Sequence, residues 1–121
     1  MESDKEREAP LFDLSRSLGD LSKDRAFIAT LVEVFRQDLE KEKAKLAEAL
    51  RTMKADEIRN SAHSLKNSAT SFGAPGATDA ARKLETAAKM KEYEALPDLA
   101  GEVIMKFDEL SRALEESLKD S

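Results

Sequence analysis

The sequence contains no cysteine and no tryptophan, and only one tyrosine, one histidine, three prolines and four glycines among its 121 residues. Without cysteine there can be no disulfide and no thiolate metal site, and a reducing compartment such as the cytoplasm is the natural home of such a chain. The breakers are few: Pro10, Pro75 and Pro97, with Gly19, Gly73, Gly76 and Gly101. Long stretches therefore run without interruption, and no segment alternates apolar and polar residues with the period of a strand. No apolar run approaches the roughly 18 residues that a membrane span requires. The opening decapeptide, "MESDKEREAP", lacks the apolar centre of a signal peptide. It reads as a disordered leader or linker over residues 1–10, followed by a single domain over residues 11–121. Basic residues are in the minority, 20 against 25 acidic, for a net charge of -5. A general nucleic-acid binder needs the opposite balance. Neither nucleic acid nor membrane is an expected partner, whereas charge-guided docking of another protein fits.

What the chain does have is helix-forming residues in periodic order. Hydrophobic residues make up 40% of the sequence, enough for an aliphatic core in one domain. "LFDLSRSLGDL" is a short apolar segment closed by Gly19, and Asp20 or Ser22 is placed to cap the next helix. Phe27, Ile28, Leu31, Val32, Phe35 and Leu39, then Leu46, Ala47, Leu50 and Met53, recur at helical spacing. With no proline or glycine between residues 24 and 53, one helix of about 45 Å is expected, or two with a kink in "QDLEKEKAK". After the tight connection "KAD", with Asp56 as a candidate cap, a second stripe carries Ile58, Ala62, Leu65, Ala69 and Phe72. It stops at "GAPG", where Gly73 can adopt the left-handed conformation. A third helix is expected from about Thr78 to Met90, with Ala77, Ala81, Leu84 and Ala88 on its inner face. A fourth is expected from Leu96 to Lys119, with Leu99, Val103, Phe107, Leu110, Leu114 and Leu118 inward. Four amphipathic helices with short links bury their faces by packing up-down-up-down. The predicted fold is all-α: an antiparallel four-helix bundle with a short extra N-terminal helix.

The single histidine lies in "AHSLKNSATSFGA", residues 62–74. On a helical wheel His63 points roughly 120–140° away from the centre of the apolar stripe. Arg59, Lys66, Asn67 and Thr70 share its side, at steps of three or four. The imidazole is thus expected on the solvent face among basic and polar groups. An ordinary surface histidine is the plain alternative. A metal site is not expected, because one histidine without a second His, a Cys or a Glu-x-x-His partner falls short of a ligand set. The chemical reading is nucleophilic: a neutral imidazole offers a lone pair that can attack phosphorus, and the N–P bond keeps high transfer potential. A cation one turn along, Lys66, would balance the phosphoryl charge, and Arg59 could assist.

These residues resemble the core motif of histidine-containing phosphotransfer (HPt) domains of bacterial multistep phosphorelays. That motif runs His-x-apolar-Lys-Gly, then small residues, then Gly-Ala. His63, Leu65, Lys66, Ser68, Gly73 and Ala74 match it. Less sharply, "LFDLSRSLGDLSKDRAFIATLVEVFRQD" is similar to the entry segment of HPt domains at the C-terminus of hybrid sensor kinases, and "AARKLETAAK" to the helix that comes after the motif. Asn67 departs from the pattern, standing where the family usually has the glycine that leaves room for a partner to close over the histidine.

The resemblance implies a phosphotransfer protein that is not itself a kinase. It implies a phosphoryl group accepted on His63 from the aspartyl phosphate of a receiver domain and passed to another response-regulator receiver, with a hybrid histidine kinase as a further partner. Lys66 would stabilise the phosphoryl group. Arg59, Asn67, Thr70 and Gly73 would support or dock. No cofactor is expected on this chain, Mg²⁺ being the partner's, and a monomer is expected. Two other readings stand beside it. One is the dimerisation and phosphoacceptor region of a sensor kinase, whose motif has an acidic residue and a proline where this chain has Ser64 and Ser68. The other is a non-catalytic helical adaptor.

Overall fold

The computed structural model describes residues 11–119, and the leader expected at residues 1–10 lies outside them. The described residues form a bundle of four long helices and a short N-terminal one, with no strand among them. Helix α1 (Leu14–Leu18) is capped by Asp13, whose carboxylate accepts from the Arg16 amide, and it ends at Gly19, where a 3-10 turn over Gly19–Lys23 begins. Helix α2 (Arg25–Thr52) is a single helix of 28 residues, so the continuous alternative holds and the charged stretch does not kink. Its cap is Asp24, which accepts from the Phe27 amide at 3.1 Å; neither Asp20 nor Ser22 plays that part. It stops at Met53, held left-handed at φ 52°.

Helix α3 (Ala55–Ser71) begins after Lys54, so Asp56 lies inside the first turn rather than at the cap. There, with Glu57, it faces the positive end of the helix dipole. Helix α4 (Pro75–Lys89) starts three residues earlier than the periodicity suggests. Pro75, which blocks continuation of α3, opens α4: at the first helical position its fixed φ suits the helix and its missing N–H costs nothing. Helix α5 (Leu96–Lys119) matches its expected span.

Helix α2 packs on α3 and α5, and α4 packs on the same two, so the four helices close an antiparallel ring. The core is aliphatic. Leu46, Ile58, Leu84, Val103, Leu110 and Leu114 are fully buried, and Phe35 sits against both Phe72 (ring centroids 5.0 Å apart) and Phe107 (6.4 Å). The inward face of α2 differs slightly from expectation. Ala49 is buried, while Ala47 and Met53 face solvent; Leu99 and Leu118 are half-buried at the margin. On α4 the buried residues are Leu84 and five alanines, Ala77, Ala80, Ala81, Ala87 and Ala88. Such short side chains allow close approach of a neighbouring helix, which brings α4 tightly against α3. Lys43 and Asp108 (3.0 Å) and Arg36 and Glu115 tie α2 to α5, on the side of the bundle away from that contact. No helix among the described residues is long and apolar enough to cross a membrane.

Candidate functional site

Helix α3 buries Ala55, Ile58, Ala62, Leu65 and Ala69, which turns His63 outward at the middle of the helix. Its side chain is 55% exposed. The expectation of an exposed imidazole therefore holds, but its surroundings are not simply basic and polar. Glu85, from α4, reaches across the seam and places Oε2 at 2.8 Å from His63 Nδ1. Its other oxygen, Oε1, lies 2.7 Å from Lys66 Nζ. One carboxylate thus engages the histidine and the lysine together.

The alanines explain the position of Glu85. Ala77 and Ala81 face the bundle at steps of four, and Glu85 is the next step along the same line, at the edge where α4 meets α3. The close packing of the two helices carries the carboxylate, itself only 20% exposed, to the base of the imidazole. Sequence reasoning missed this residue, because the contact spans 22 positions and two helices. The available signal was a lone carboxylate continuing an alanine line.

The Lys66 ammonium, hydrogen-bonded to Glu85, holds that carboxyl below its usual range. Partial burial opposes this, and the His63 hydrogen bond adds to it. Glu85 is therefore ionised near neutrality, and an ionised carboxylate only accepts. The proton between Glu85 and His63 then belongs to Nδ1, and in a neutral imidazole the lone pair is left on Nε2.

The other expected site residues are spread along α3. Arg59 is exposed one turn before His63, and Asn67 is exposed one turn after it, its carbonyl accepting from the Ser71 hydroxyl at 3.1 Å. Thr70, two turns or about 10 Å along the axis, donates its hydroxyl to the Lys66 carbonyl at 2.9 Å. Gly73 lies about 15 Å away along the helix axis. Its φ of 63° and its contact with Asp13 give it a part in the turn between α3 and α4. The geometry thus brings His63, Lys66 and Glu85 together, with Arg59 and Asn67 beside them, and sets Thr70 and Gly73 apart. Among the described residues, no group of three or more His, Cys, Asp or Glu is arranged to hold a metal ion.

Comparison with known proteins bears on this arrangement. The bundle is similar to the crystal structure of histidine-containing phosphotransfer protein B (HptB) from Pseudomonas aeruginosa PAO1. The TM-score is 0.81 with 24% sequence identity, over 94% of this chain and 99% of that one, which establishes likeness of fold. No curated protein matches the sequence. The model of the Hpt domain family matches residues 30–119, all four long helices apart from the first turn of α2. A span of that extent, on this fold and around an outward histidine, places the chain in the Hpt domain family, whose work is histidine phosphotransfer in phosphorelays.

Proposed function

We propose that this domain is a relay intermediate: His63 accepts a phosphoryl group from the aspartyl phosphate of one receiver domain and donates it to the aspartate of another response regulator. The observation that carries the reading is a lone histidine, 55% exposed at mid-helix, whose Nδ1 is engaged by a carboxylate while the other nitrogen is left to react. Both donor and acceptor are proteins, so the nucleophile must stand out from the surface. His63 is the phosphoacceptor. Lys66, one turn along, stabilises the phosphoryl charge. Arg59 and Asn67 line the ground on which a receiver settles. The Mg²⁺ of the reaction belongs to the receiver's acidic pocket, and this domain contributes the nucleophile and its orientation.

The attacking and leaving groups are accounted for without another reagent. The Nε2 lone pair forms the N–P bond as the P–O bond to the donor's aspartyl carboxylate breaks. In the second half, the acceptor's carboxylate attacks phosphorus and the electron pair returns to Nε2. A panel of phosphorylated receivers tests the proposal. At least one should label this chain, and the labelled chain should then pass the group to a second receiver. A chain that accepts from none, or that loses its label only to water in the presence of every receiver, would refute a relay role.

A further inference from the structure

We propose that Glu42, on α2, is a docking and selectivity residue for the receiver: it takes a lysine or arginine side chain of that receiver into the cleft between α2 and α3 as the receiver closes over His63. The inference rests on the relay reading above and gives the receiver a second point of contact, on the flank of His63 away from Glu85. Three observations support it. First, Glu42 Oε1 is fully buried and has no hydrogen-bond partner among the described residues. The other oxygen, Oε2, lies 3.8 Å from the exposed Lys45 ammonium, a loose ion pair. A buried carboxylate oxygen without a partner is costly, so the group calls for a donor. Second, an open cavity of about 530 Å³ lies at this point of the seam, walled by Glu42, Glu48 and Glu57 with Asn60, Ser61 and Ser64. Third, that wall adjoins the nucleophile. At 100° per residue, Asn60 and Ser64 turn from His63 toward α2, by about 60° and 100°, whereas Lys66 turns about 60° toward α4.

The charges choose the occupant. The wall of the cavity carries three carboxylates against one ammonium, that of Lys45. Glu48 is held by Arg51 at 2.6 Å and Glu57 lies 3.9 Å from Lys54, so the carboxylate short of a donor is Glu42. A cation on a long stem answers that need, because lysine and arginine carry several donors on a chain that can enter a cleft. A receiver that covers about 800 Å² of this domain around His63 also covers the mouth of the cleft, since Ser64 is the next residue along α3. A receiver with a basic side chain there gains a charge-assisted hydrogen bond. One without it seals an unpaired carboxylate away from water and is disfavoured. Glu42 thus lowers the stability of the free domain and raises its affinity for one class of receiver.

Glu42→Gln separates the two effects. Without any receiver, urea unfolding should show the variant at least as stable as the wild-type chain, since a buried charge short of a partner has been removed. With a phosphorylated receiver that labels the wild-type chain, the receiver concentration giving half-maximal transfer should rise about tenfold, while the rate at saturation stays within twofold. Replacing the matching lysine or arginine of the receiver, found by alanine scanning, should cost the same factor, and the two losses should not multiply. Glu40→Gln removes an exposed charge beside Lys43, on the other side of α2, and should change half-saturation less than twofold, which separates a specific contact from net charge. A Glu42→Gln chain clearly less stable than wild type would overturn the inference, because the carboxylate would then have a partner within the fold. Half-saturation unchanged with every receiver would overturn it too, as would a lowered saturated rate at unchanged half-saturation. All three results leave the relay reading standing; a chain that no receiver labels refutes that reading, and this inference with it.

Discussion

The Asp13 amide donates to the Gly73 carbonyl at 2.8 Å, and a Cβ on Gly73 would stand 2.2 Å from the Asp13 carbonyl oxygen. The segment leading into α1 is thereby laid directly over the turn between α3 and α4. Two independent demands fall on one residue. Its φ of 63° disfavours any side chain, and the space a side chain needs is occupied by backbone, which cannot swing aside. Gly73→Ala should destabilise the fold by about 1–3 kcal/mol in urea unfolding. The folded fraction should keep its phosphotransfer, because His63 lies ten residues away. A variant as stable as the wild type would show that the turn relaxes freely.

Gly73 and Glu85 mark the division between what was legible in the sequence and what was not. That α3 stops at Gly73 is a local matter, written in "GAPG", and so was readable. That Asp13 lies on top of it is a contact across sixty positions, and nothing in the local pattern encodes it. The same division runs through the site. The outward direction of His63 and its neighbour Lys66 come from helical period alone. Glu85 arrives from another helix, and its placement depends on how closely the alanines let α4 approach. The start of α4 at Pro75 was missed for a different reason: a proline both ends one helix and begins the next, and periodicity sees only the first effect.

Glu85 also couples stability to pH. Its carboxyl is held below the ordinary value near 4.5, chiefly by Lys66, so the folded state binds this proton less readily than the unfolded chain. The stabilisation is therefore fully present above the ordinary glutamate value and is lost as pH falls from there through the depressed folded value. The stability difference between wild type and Glu85→Gln should be constant around neutrality and shrink progressively below about pH 4.5. A difference that grows on acidification would contradict the assignment of the pair.

Lys66→Ala should slow acceptance and shorten the lifetime of the phosphorylated form, with little effect on folding. A partly exposed cation facing a phosphoryl group is worth about 1 kcal/mol, roughly a factor of five in rate. Stopped-flow transfer in both directions, with the decay of the label, measures it. Rates and lifetime unchanged within twofold would reduce Lys66 to a structural partner of Glu85.

Asn67 is exposed one turn beyond His63, where the family usually has glycine. Its bulk should impede a receiver that must close over the imidazole, and an error of about 1 Å at the reacting atoms costs around a hundredfold. Asn67→Gly should broaden the range of receivers that transfer, at a cost of about 0.5–1 kcal/mol in helix stability. If the glycine variant is slower with every receiver, the amide assists the reaction and the steric account is wrong.

The central claim is that His63 carries the phosphoryl group. Its side chain lies outside the core, so His63→Gln should fold with wild-type helicity and melting behaviour. Incubated with a receiver that labels the wild-type chain, this variant should acquire no acid-labile phosphate, and the phosphorylated wild-type chain should carry its label on the peptide containing residue 63. Acid-labile labelling that persists in folded His63→Gln would contradict the account.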